Sequence, residues 1–262
     1  MKKLDYHCHS KFSADSEEEP RNHVLEAISH GLDEICFTEH RDFHFPGELK
    51  FDLDVPSYFT AIGQLQEEFA GQLTIKIGLE MGLDKHYQQE IEAFVAASPY
   101  DFVIGSVHEI HDIEVYDDTS YYEIPRKEAH QQYFEAILEA ITTFDCFDTL
   151  AHLDYVARYG PYPDKSIIWQ HHSKILEEIL QTLVKKNKAL EINTRLFQLP
   201  QTQDFYHYLL TTFRNYGGEK ITLGTDAHSV ERDWTSLEKA RKLIEKAGFT
   251  DLATFTKRNL DI

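Results

Sequence analysis

Short apolar segments alternate with longer amphipathic segments from one end of the chain to the other. Seven of the short segments have the length and composition of buried strands, at residues 3–7, 33–38, 73–79, 101–107, 148–151, 189–193 and 221–225. Apolar positions at helical spacing follow each of them and predict helices at residues 20–31, 56–70, 85–97, 125–144, 167–187, 203–216 and 235–247. The tail at 249–262 fits neither pattern.

Seven strands that are each followed by a helix imply parallel strands joined by right-handed crossovers. No linker, low-complexity tract or shift of composition divides the chain, so we expect one α/β domain over residues 1–262. A closed or nearly closed barrel fits this length better than an open, doubly wound sheet. The open sheet stays an alternative, although no strand is followed by the glycine-rich loop that binds nucleotides in such folds.

Charge and composition exclude several classes of partner. The formal net charge is −19, and a surface this negative repels both nucleic-acid phosphates and anionic membranes. The N-terminal segment lacks the apolar stretch of a signal peptide, and no window is apolar enough to span a bilayer. Three cysteines do not form a disulfide framework, so we expect a cytoplasmic protein.

Histidine is the unusual residue, with fifteen in the chain. Six histidines lie at or just past the carboxyl ends of predicted strands, which form the mouth of a β/α barrel; they are His7, His9, His40, His108, His152 and His228. Seven others lie on predicted helices, where we expect them at the surface, namely His23, His30, His86, His130, His171, His172 and His207.

Carboxylates accompany the strand-end histidines. Glu39, Glu80 and Asp226 lie at the same strand ends, and Asp15 lies in the loop after the first strand. A single strand-end histidine is more often structural, but a whole cluster of unpaired polar groups is costly to bury. Neutral imidazole suits Zn, Mn and Fe, and a carboxylate can bridge two ions. The pattern therefore predicts a site for more than one divalent metal ion.

Other hydrolytic chemistries lack their motifs in this sequence. No cysteine has the downstream arginine of a Cys-based phosphatase loop, and there is no G-x-S-x-G elbow, H-E-x-x-H helix or P-loop. A water activated by metal is the nucleophile that remains.

Six motifs, in order along the chain, resemble those of the polymerase and histidinol phosphatase (PHP) family of metal-dependent barrels. They are H-x-H-S at 7–10, T-E-H at 38–40, G-L-E at 78–80, S-V-H at 106–108, A-H-x-D at 151–154 and G-T-D-A-H at 224–228. They extend over essentially the whole chain. The resemblance implies a distorted (β/α)7 TIM-like barrel in a single domain.

The resemblance also implies three divalent metal ions, which are Zn, Mn or Fe. Their ligands would be strand-end and loop side chains in three sets, namely His7, His9, Glu80 and Asp226 for the first ion, Glu80 with His108 and His152 for the second, and His40, His228 and Asp15 for the third. Many relatives have a histidine where this chain has Asp15. Glu80, Asp226 and His228 are the implied catalytic residues, and Glu39 would lie behind the ligands.

The implied activity is hydrolysis of a phosphate monoester. In its length, its loop pattern and its lack of a polymerase region, the chain is most similar to the family members that act in histidine biosynthesis. This resemblance implies L-histidinol phosphate as the small-molecule substrate. A metal-bridging hydroxide would attack phosphorus in line, without a covalent enzyme intermediate.

Substrate-binding residues are expected among the charged side chains of the mouth. Arg158 and Arg195 follow the fifth and sixth strands, and their planar guanidinium groups suit phosphate. The substrate's ammonium group needs carboxylates, and the mouth loops offer Asp42, Glu109, Glu114 and Asp117. The leaving group needs a proton, for which the candidates are His44, His111 and Asp42.

Three alternatives stay open. Some PHP relatives are manganese-dependent protein-tyrosine phosphatases, and others act on different small-molecule or nucleotide phosphoesters. The long loops at 41–55 and 109–124 predict a covered mouth, which favours a small substrate over a polypeptide. A non-catalytic or polymerase-associated module is the third alternative; the complete ligand set and the acidic charge argue against it.

Overall fold

The computed structural model describes residues 1–110, 113–116 and 118–261. Its strands are β1 (Leu4–Cys8), β2 (Glu34–Phe37), β3 (His40–Arg41), β4 (Thr74–Gly82), β5 (Phe102–Ser106), β6 (Glu109–Ile110), β7 (Ile113–Glu114), β8 (Thr149–Leu150), β9 (Ala189–Asn193), β10 (Ile221–Gly224), β11 (Phe255–Thr256) and β12 (Asn259–Leu260). Its helices are α1 (Pro20–Ser29), α2 (Val55–Glu68), α3 (Gln88–Ala96), α4 (Arg126–Thr143), α5 (Tyr155–Tyr159), α6 (Trp169–Lys185), α7 (Pro200–Asn215) and α8 (Trp234–Lys246). Short 3₁₀ helices lie at Lys85–Tyr87 and Thr119–Glu123.

Local sequence signals explain where several helices begin and end. Pro200 begins α7, where its fixed φ is favourable and its missing N–H costs nothing. Asp54 and Asp233 precede α2 and α8, and each carboxylate accepts a hydrogen bond from a backbone N–H of the first turn. Gly71, shortly after α2, has a φ of +78°, a conformation that favours glycine.

The main sheet is parallel and follows the order β1-β2-β4-β5-β8-β9-β10. Its two edge strands meet at the carboxyl end, because Asp226 donates its N–H to the carbonyl of His7 at 2.8 Å and His9 donates to the carbonyl of Ala227 at 2.9 Å. A parallel bridge joins Cys8 to Ala227 at the same place. The seven-stranded barrel is confirmed, and the open sheet is excluded.

Side chains complete the seam between β1 and β10 where main-chain pairing stops. The buried Asp5 carboxylate accepts the N–H of Thr225 at 2.9 Å and lies 2.6 Å from a guanidinium nitrogen of Arg232. Arg232 lies in the loop between β10 and α8. The seam therefore ties the loop that carries Asp226 and His228 to the first strand.

Several short elements of the barrel mouth were not predicted. The two-residue strand β3 pairs with β4, which extends three residues beyond its predicted end, to Gly82. The hairpin β6–β7 and the single-turn helix α5 lie on loops of the mouth. Each is too short to show a periodic pattern in the sequence.

The described part of the tail, residues 249–261, closes the barrel end opposite the histidines. Its hairpin β11–β12 buries Phe255, which stacks on Phe102 of β5 at 5.2 Å between ring centroids. The N–H of Phe255 donates to the hydroxyl of Tyr6 at 3.3 Å, and Arg258 pairs with Asp148 at 2.9 Å. The ambiguous tail is therefore part of the core.

Three helical histidines are buried, so the expectation of surface positions is wrong for His23, His130 and His172. For His130 and His172 the physical reason is aromatic packing between helices, since the ring of His172 on α6 lies 5.3 Å from that of Phe134 on α4. His23 on α1 instead packs against the sheet, with its ring 6.0 Å from that of Phe37 on β2. No helix in the described part of the chain is long and apolar enough to cross a membrane.

Candidate metal centre

Glu80 lies at the centre of the strand-end histidines. The length of β4 carries this residue to the barrel mouth, where its side chain is completely buried. Its Oε2 atom lies 3.0 Å from Nε2 of His7, 3.2 Å from Nε2 of His9 and 3.2 Å from Nδ1 of His40. One carboxylate oxygen therefore faces three imidazoles, two from the end of β1 and one from β3.

The second oxygen of Glu80 faces a different set. Its Oε1 atom lies 3.0 Å from Nε2 of His152 and 3.3 Å from Nε2 of His108, and it accepts the hydroxyl of Ser106 at 2.5 Å. The two oxygens of this carboxylate thus point to two separate groups of histidines. A bridging ligand between two metal ions requires this arrangement.

Asp226 and Asp15 complete the cluster. Oδ1 of Asp226 lies 3.7 Å from Nε2 of His7 and 3.5 Å from Nε2 of His9. Nearer the solvent, Oδ2 of Asp15 lies 3.0 Å from Nε2 of His228 and 3.5 Å from Nε2 of His40. All nine side chains that the sequence analysis assigned to metal ions therefore lie in one cluster.

The donor atoms of this cluster fit divalent metal ions. Four groups of three side chains have ligand atoms within 4.8 Å of one another, namely His7–His9–Asp226, His7–Glu80–His152, His40–Glu80–His108 and His9–His40–His228. Several ring nitrogens are buried and have no hydrogen-bond partner among the described residues, including Nε2 of His9 and of His108. Buried nitrogens without partners are costly unless a cation binds them.

Electrostatics within the cluster keep its carboxylates charged. Although burial opposes ionisation, the neighbouring His7 and His40 hold the pKa of Glu80 well below its usual range. His7 likewise lowers the pKa of Asp226 against the effect of burial. Conversely, Asp42 raises the pKa of His108, although burial favours the neutral ring. Ionised carboxylates are the form that binds metal, and metal binding would displace protons from the imidazoles.

A cavity of about 390 Å³ opens above the cluster. Asp15, His40, Asp226 and His228 line its floor, and Glu48, Glu114 and Arg195 line its sides together with five aromatic rings, those of Phe45, Phe51, Tyr116, Tyr155 and Tyr159. The loops between β3 and α2 and between β5 and α4 supply much of this wall. The mouth is therefore covered on two sides, as the two long loops predicted.

The two arginines have different environments. Arg195 lines the cavity, and its Nη1 donates to the main-chain carbonyl of Asp226 at 2.8 Å. Arg158 is buried and lies 2.5 Å from Oδ2 of Asp226 and 3.0 Å from Oδ1 of Asp154. Arg158 thus holds a carboxylate of the cluster from behind, and its guanidinium is not among the groups that line the cavity.

The carboxylates expected to bind the substrate's ammonium group also lie in different places. Glu114 on β7 lines the cavity. Asp42 is buried behind the cluster, and its Oδ1 lies 2.8 Å from Nδ1 of His108. Asp42 and Glu109 line a second cavity, of about 400 Å³. This position does not fit the expected contact of Asp42 with substrate, because His108 lies between the two cavities and lines both.

The candidate proton donors are only partly placed. His111 lies outside the described residues, as does Asp117, one of the candidate carboxylates for the ammonium group. The ring of His44 stacks on that of Tyr87 at 4.4 Å and does not line the cavity above the cluster.

Two buried carboxylates support the site from behind: Glu39, which the sequence analysis placed there, and Glu191, which it missed. Glu39 accepts hydrogen bonds from the hydroxyls of Ser10 and Ser13, both at 2.6 Å, and so shapes the loop after β1. Glu191 on β9 accepts the N–H of His152 at 2.9 Å and lies 2.6 Å from Nδ1 of His7. A charged residue within the otherwise apolar segment ALEIN is the signal that points to Glu191.

Comparisons with known proteins agree with this geometry. A family model described as "PHP domain" matches residues 5–195. A histidinol-phosphatase of Lactococcus lactis subsp. lactis (strain IL1403) is 58% identical over 262 residues, which are 100% of this chain and 97% of that protein. A histidinol-phosphatase of Bacillus subtilis (strain 168) is 31% identical over 162 residues, 54% of this chain and 60% of that protein.

Solved structures have the same fold. The crystal structure of a histidinol phosphate phosphatase from Lactococcus lactis, complexed with zinc, L-histidinol and phosphate, aligns with a TM-score of 0.98 at 58% identity and covers 100% of this chain and 99% of that chain. A structure from Listeria monocytogenes aligns with a TM-score of 0.73 at 18% identity, covering 87% of this chain and 96% of that one. The second match shows the fold alone.

Proposed function

This chain belongs to the PHP domain family, and we propose that it is a metal-dependent phosphomonoesterase that hydrolyses L-histidinol phosphate to L-histidinol and phosphate. The observation that carries this proposal is similarity over the entire chain, 58% identity and a TM-score of 0.98, to a protein whose structure holds zinc, L-histidinol and phosphate. The cluster around Glu80 supplies the ligands that such chemistry requires.

We further propose that the cluster holds three divalent ions, which are Zn, Mn or Fe. The ligand sets are His7, His9, Glu80 and Asp226 for the first ion, Glu80, His108 and His152 for the second, and Asp15, His40 and His228 for the third. The separate orientations of the two Glu80 oxygens support a bridging role between the first two sets. Imidazole and carboxylate ligands suit all three metals.

Within this site, protein side chains bind and orient the substrate. Bound divalent ions would supply a nucleophile from water at neutral pH and offset negative charge on the phosphoryl group. Arg195 is positioned at the cavity wall to bind a phosphoryl oxygen, since its guanidinium is already held near the cluster by the carbonyl of Asp226. Arg158 holds Asp226 in place from behind.

The cavity walls fit an imidazole ring that carries an ammonium group. Tyr155 and Tyr159 present neighbouring rings, 4.9 Å apart, on which an imidazole can stack. Glu48 and Glu114 line the same space and can bind the ammonium group. These four residues determine specificity in this proposal, whereas a polypeptide substrate would have to displace the covering loops.

Competing substrates test the proposal. Phosphate release is measured from L-histidinol phosphate, a phosphotyrosine peptide and a nucleoside bisphosphate, each with Zn²⁺, Mn²⁺ or Fe²⁺ added. We expect kcat/KM to favour L-histidinol phosphate by about a hundredfold or more, which corresponds to about 2.7 kcal/mol in the transition state. Equal rates on the three substrates would contradict the proposal, and preference for the peptide would identify a tyrosine phosphatase.

Residues 1–262 act as one domain in this proposal, and its compartment is the cytoplasm. The cysteines support the second point, because Cys8, Cys36 and Cys146 are all free thiols. Unpaired cysteines are typical of proteins in a reducing compartment.

A further inference from the structure

We propose that Glu191 and Asp42 are positioning residues that orient His7 and His108 toward the two inner metal ions, so that these ions are held more tightly than the outer ion of Asp15, His40 and His228. The inference rests on the three-ion centre proposed above. It assigns roles to two buried carboxylates that are not metal ligands themselves.

Glu191 contacts both inner ligand sets. Its Oε1 atom lies 2.6 Å from Nδ1 of His7, whose Nε2 faces Glu80 at 3.0 Å. Its Oε2 atom accepts the main-chain N–H of His152 at 2.9 Å. A carboxylate on Nδ1 fixes which ring nitrogen carries the proton, and therefore leaves Nε2 free to bind metal.

The close approach of Glu191 to His7 depends on a glycine of the adjoining strand. A Cβ atom at Gly224 of β10 would overlap the Cβ of His7 and lie 3.0 Å from Oε1 of Glu191. The glycine of the G-T-D-A-H motif therefore provides the space in which the two side chains meet. The contact between His7 and Glu191 is therefore part of the packing of the barrel.

Asp42 has the same relation to the second inner set. Its Oδ1 lies 2.8 Å from Nδ1 of His108, whose Nε2 lies 3.3 Å from Oε1 of Glu80. Asp42 is buried, and its carboxylate packs against Gly82, where a Cβ atom would overlap it. A histidine of each inner set thus has a buried carboxylate on the ring nitrogen that faces away from Glu80.

The other four histidines of the cluster have no carboxylate within hydrogen-bond distance of Nδ1, other than the proposed ligand Glu80. Nδ1 of His9 lies 3.3 Å from the hydroxyl of Ser13, and Nδ1 of His228 lies 3.0 Å from the main-chain carbonyl of Asp226. Nδ1 of His152 has no hydrogen-bond partner among the described residues. Nδ1 of His40 also has no hydrogen-bond partner among the described residues, because Oδ2 of Asp42 lies 3.8 Å away, beyond hydrogen-bond distance.

Solvent exposure also separates the ligands of the inner ions from those of the outer ion. The side chains of His7 and Glu80 are 0% exposed, whereas those of Asp15 and His228 are 27% and 22% exposed. Solvent therefore reaches the outer set, where competing water and chelators can displace a ligand. Both the missing carboxylate support and the exposure make the outer ion the exchangeable one.

Chelator competition on the zinc-loaded protein tests the inference. Zinc per chain is measured by elemental analysis after equilibration with increasing chelator, for wild type, Glu191→Gln and Asp42→Asn. For wild type we expect one ion to leave at lower chelator concentration than the other two. Each substitution should weaken inner-ion binding about 10- to 100-fold and leave the outer ion unchanged.

Rescue distinguishes positioning from loss of structure. Because both substitutions keep the size of the side chain, activity on L-histidinol phosphate should return when zinc is added in excess. Asp148→Asn is the matched control, since Asp148 is a buried carboxylate paired with Arg258 at the opposite end of the barrel. Its zinc binding should equal that of wild type.

Two results would overturn the inference. One is release of all three ions together from wild type; the other is wild-type zinc binding in both Glu191→Gln and Asp42→Asn. Either result leaves the proposed function intact if the zinc-loaded protein still hydrolyses L-histidinol phosphate. A wild-type protein that binds no divalent ion would overturn the metal centre and this inference together.

Discussion

At the scale of single residues, side chains that are far apart in the sequence meet because their strands end at the same edge. Glu80 on β4 lies within 3.3 Å of five imidazoles, which come from the ends of β1, β5 and β8 and from its neighbour β3. The convergence could be predicted, since parallel strands bring their carboxyl ends together. The support of His108 by Asp42 could not, because the sequence does not specify which way a loop carboxylate turns.

Asp226 combines a chemical role with an unusual backbone. Its φ is +56°, a left-handed conformation that asparagine also tolerates and alanine does not. We expect Asp226→Asn to remain folded and to lose turnover by about a hundredfold or more, because the charged ligand is removed. The measurement is kcat with metal content, and Asp251→Asn at the exposed end of the chain is the control. Near-normal turnover would exclude Asp226 from the centre.

Arg195 is the arginine placed to bind phosphate. We expect Arg195→Ala to lower kcat/KM about 10- to 100-fold, since a hydrogen bond to a charged group contributes about 1.5–3 kcal/mol. Inhibition by inorganic phosphate should weaken in parallel, which a general loss of stability would not produce. Arg21→Ala, at an exposed ion pair with Glu68, is the control. Unchanged kcat/KM would remove Arg195 from the phosphate site.

At the scale of elements, a helix or strand could be predicted from the sequence only when it was long enough to show a period. The long helices α4 and α6 and the apolar strands have enough residues to show a period, whereas β3 and β6–β7 have two residues each. Burial of polar residues between helices also escapes such patterns. His130 and His172 illustrate this. A histidine on a helix counts as a polar, surface residue in such a pattern, but these two rings lie between α4 and α6, 5.9 Å apart.

The α4–α6 interface makes stability depend on pH. Burial lowers the pKa of His130 to about 3 and that of His172 to about 4, whereas the unfolded chain has the ordinary value of 6.5. Between pH 6.5 and 4 the unfolded state therefore binds more protons, and the free energy of unfolding falls as pH falls through this window.

Urea unfolding at several pH values measures this effect. We expect the double substitution His130→Gln/His172→Gln to reduce the slope of stability against pH between 4 and 6.5. His171→Gln changes the exposed neighbour on the same helix and should change the slope much less, because burial contributes more than His171 to the lowered pKa of His172. An identical slope in the double variant would show that other groups control the acid response.

At the scale of the whole molecule, the two ends of the barrel have separate tasks. The carboxyl ends of the strands carry the candidate metal ligands, and the opposite end is filled by the hairpin β11–β12. The barrel itself could be predicted by counting strands and helices. The hairpin could not, since its stability comes from contacts of Phe255 and Arg258 with strands distant in the sequence.

This separation predicts a variant that is unstable but active. Phe255→Ala should lower the free energy of unfolding by about 3–5 kcal/mol, the usual cost of removing a buried phenyl ring. Because the ring lies at the end away from the cavity, kcat at temperatures below the unfolding transition should equal that of wild type. Leu260→Ala, an exposed position on the same hairpin, is the control. Loss of kcat in folded Phe255→Ala protein would contradict this independence.

The seam between β1 and β10 has a consequence for biosynthesis. His7 and His9 lie at the end of β1, whereas Asp226 and His228 follow β10 and are made only after the ten strands β1–β10. A nascent chain therefore carries an incomplete set of donors until the loop after β10 has been synthesised. In the proposed three-ion centre, complete coordination therefore requires that β10 and the loop after it have already been made.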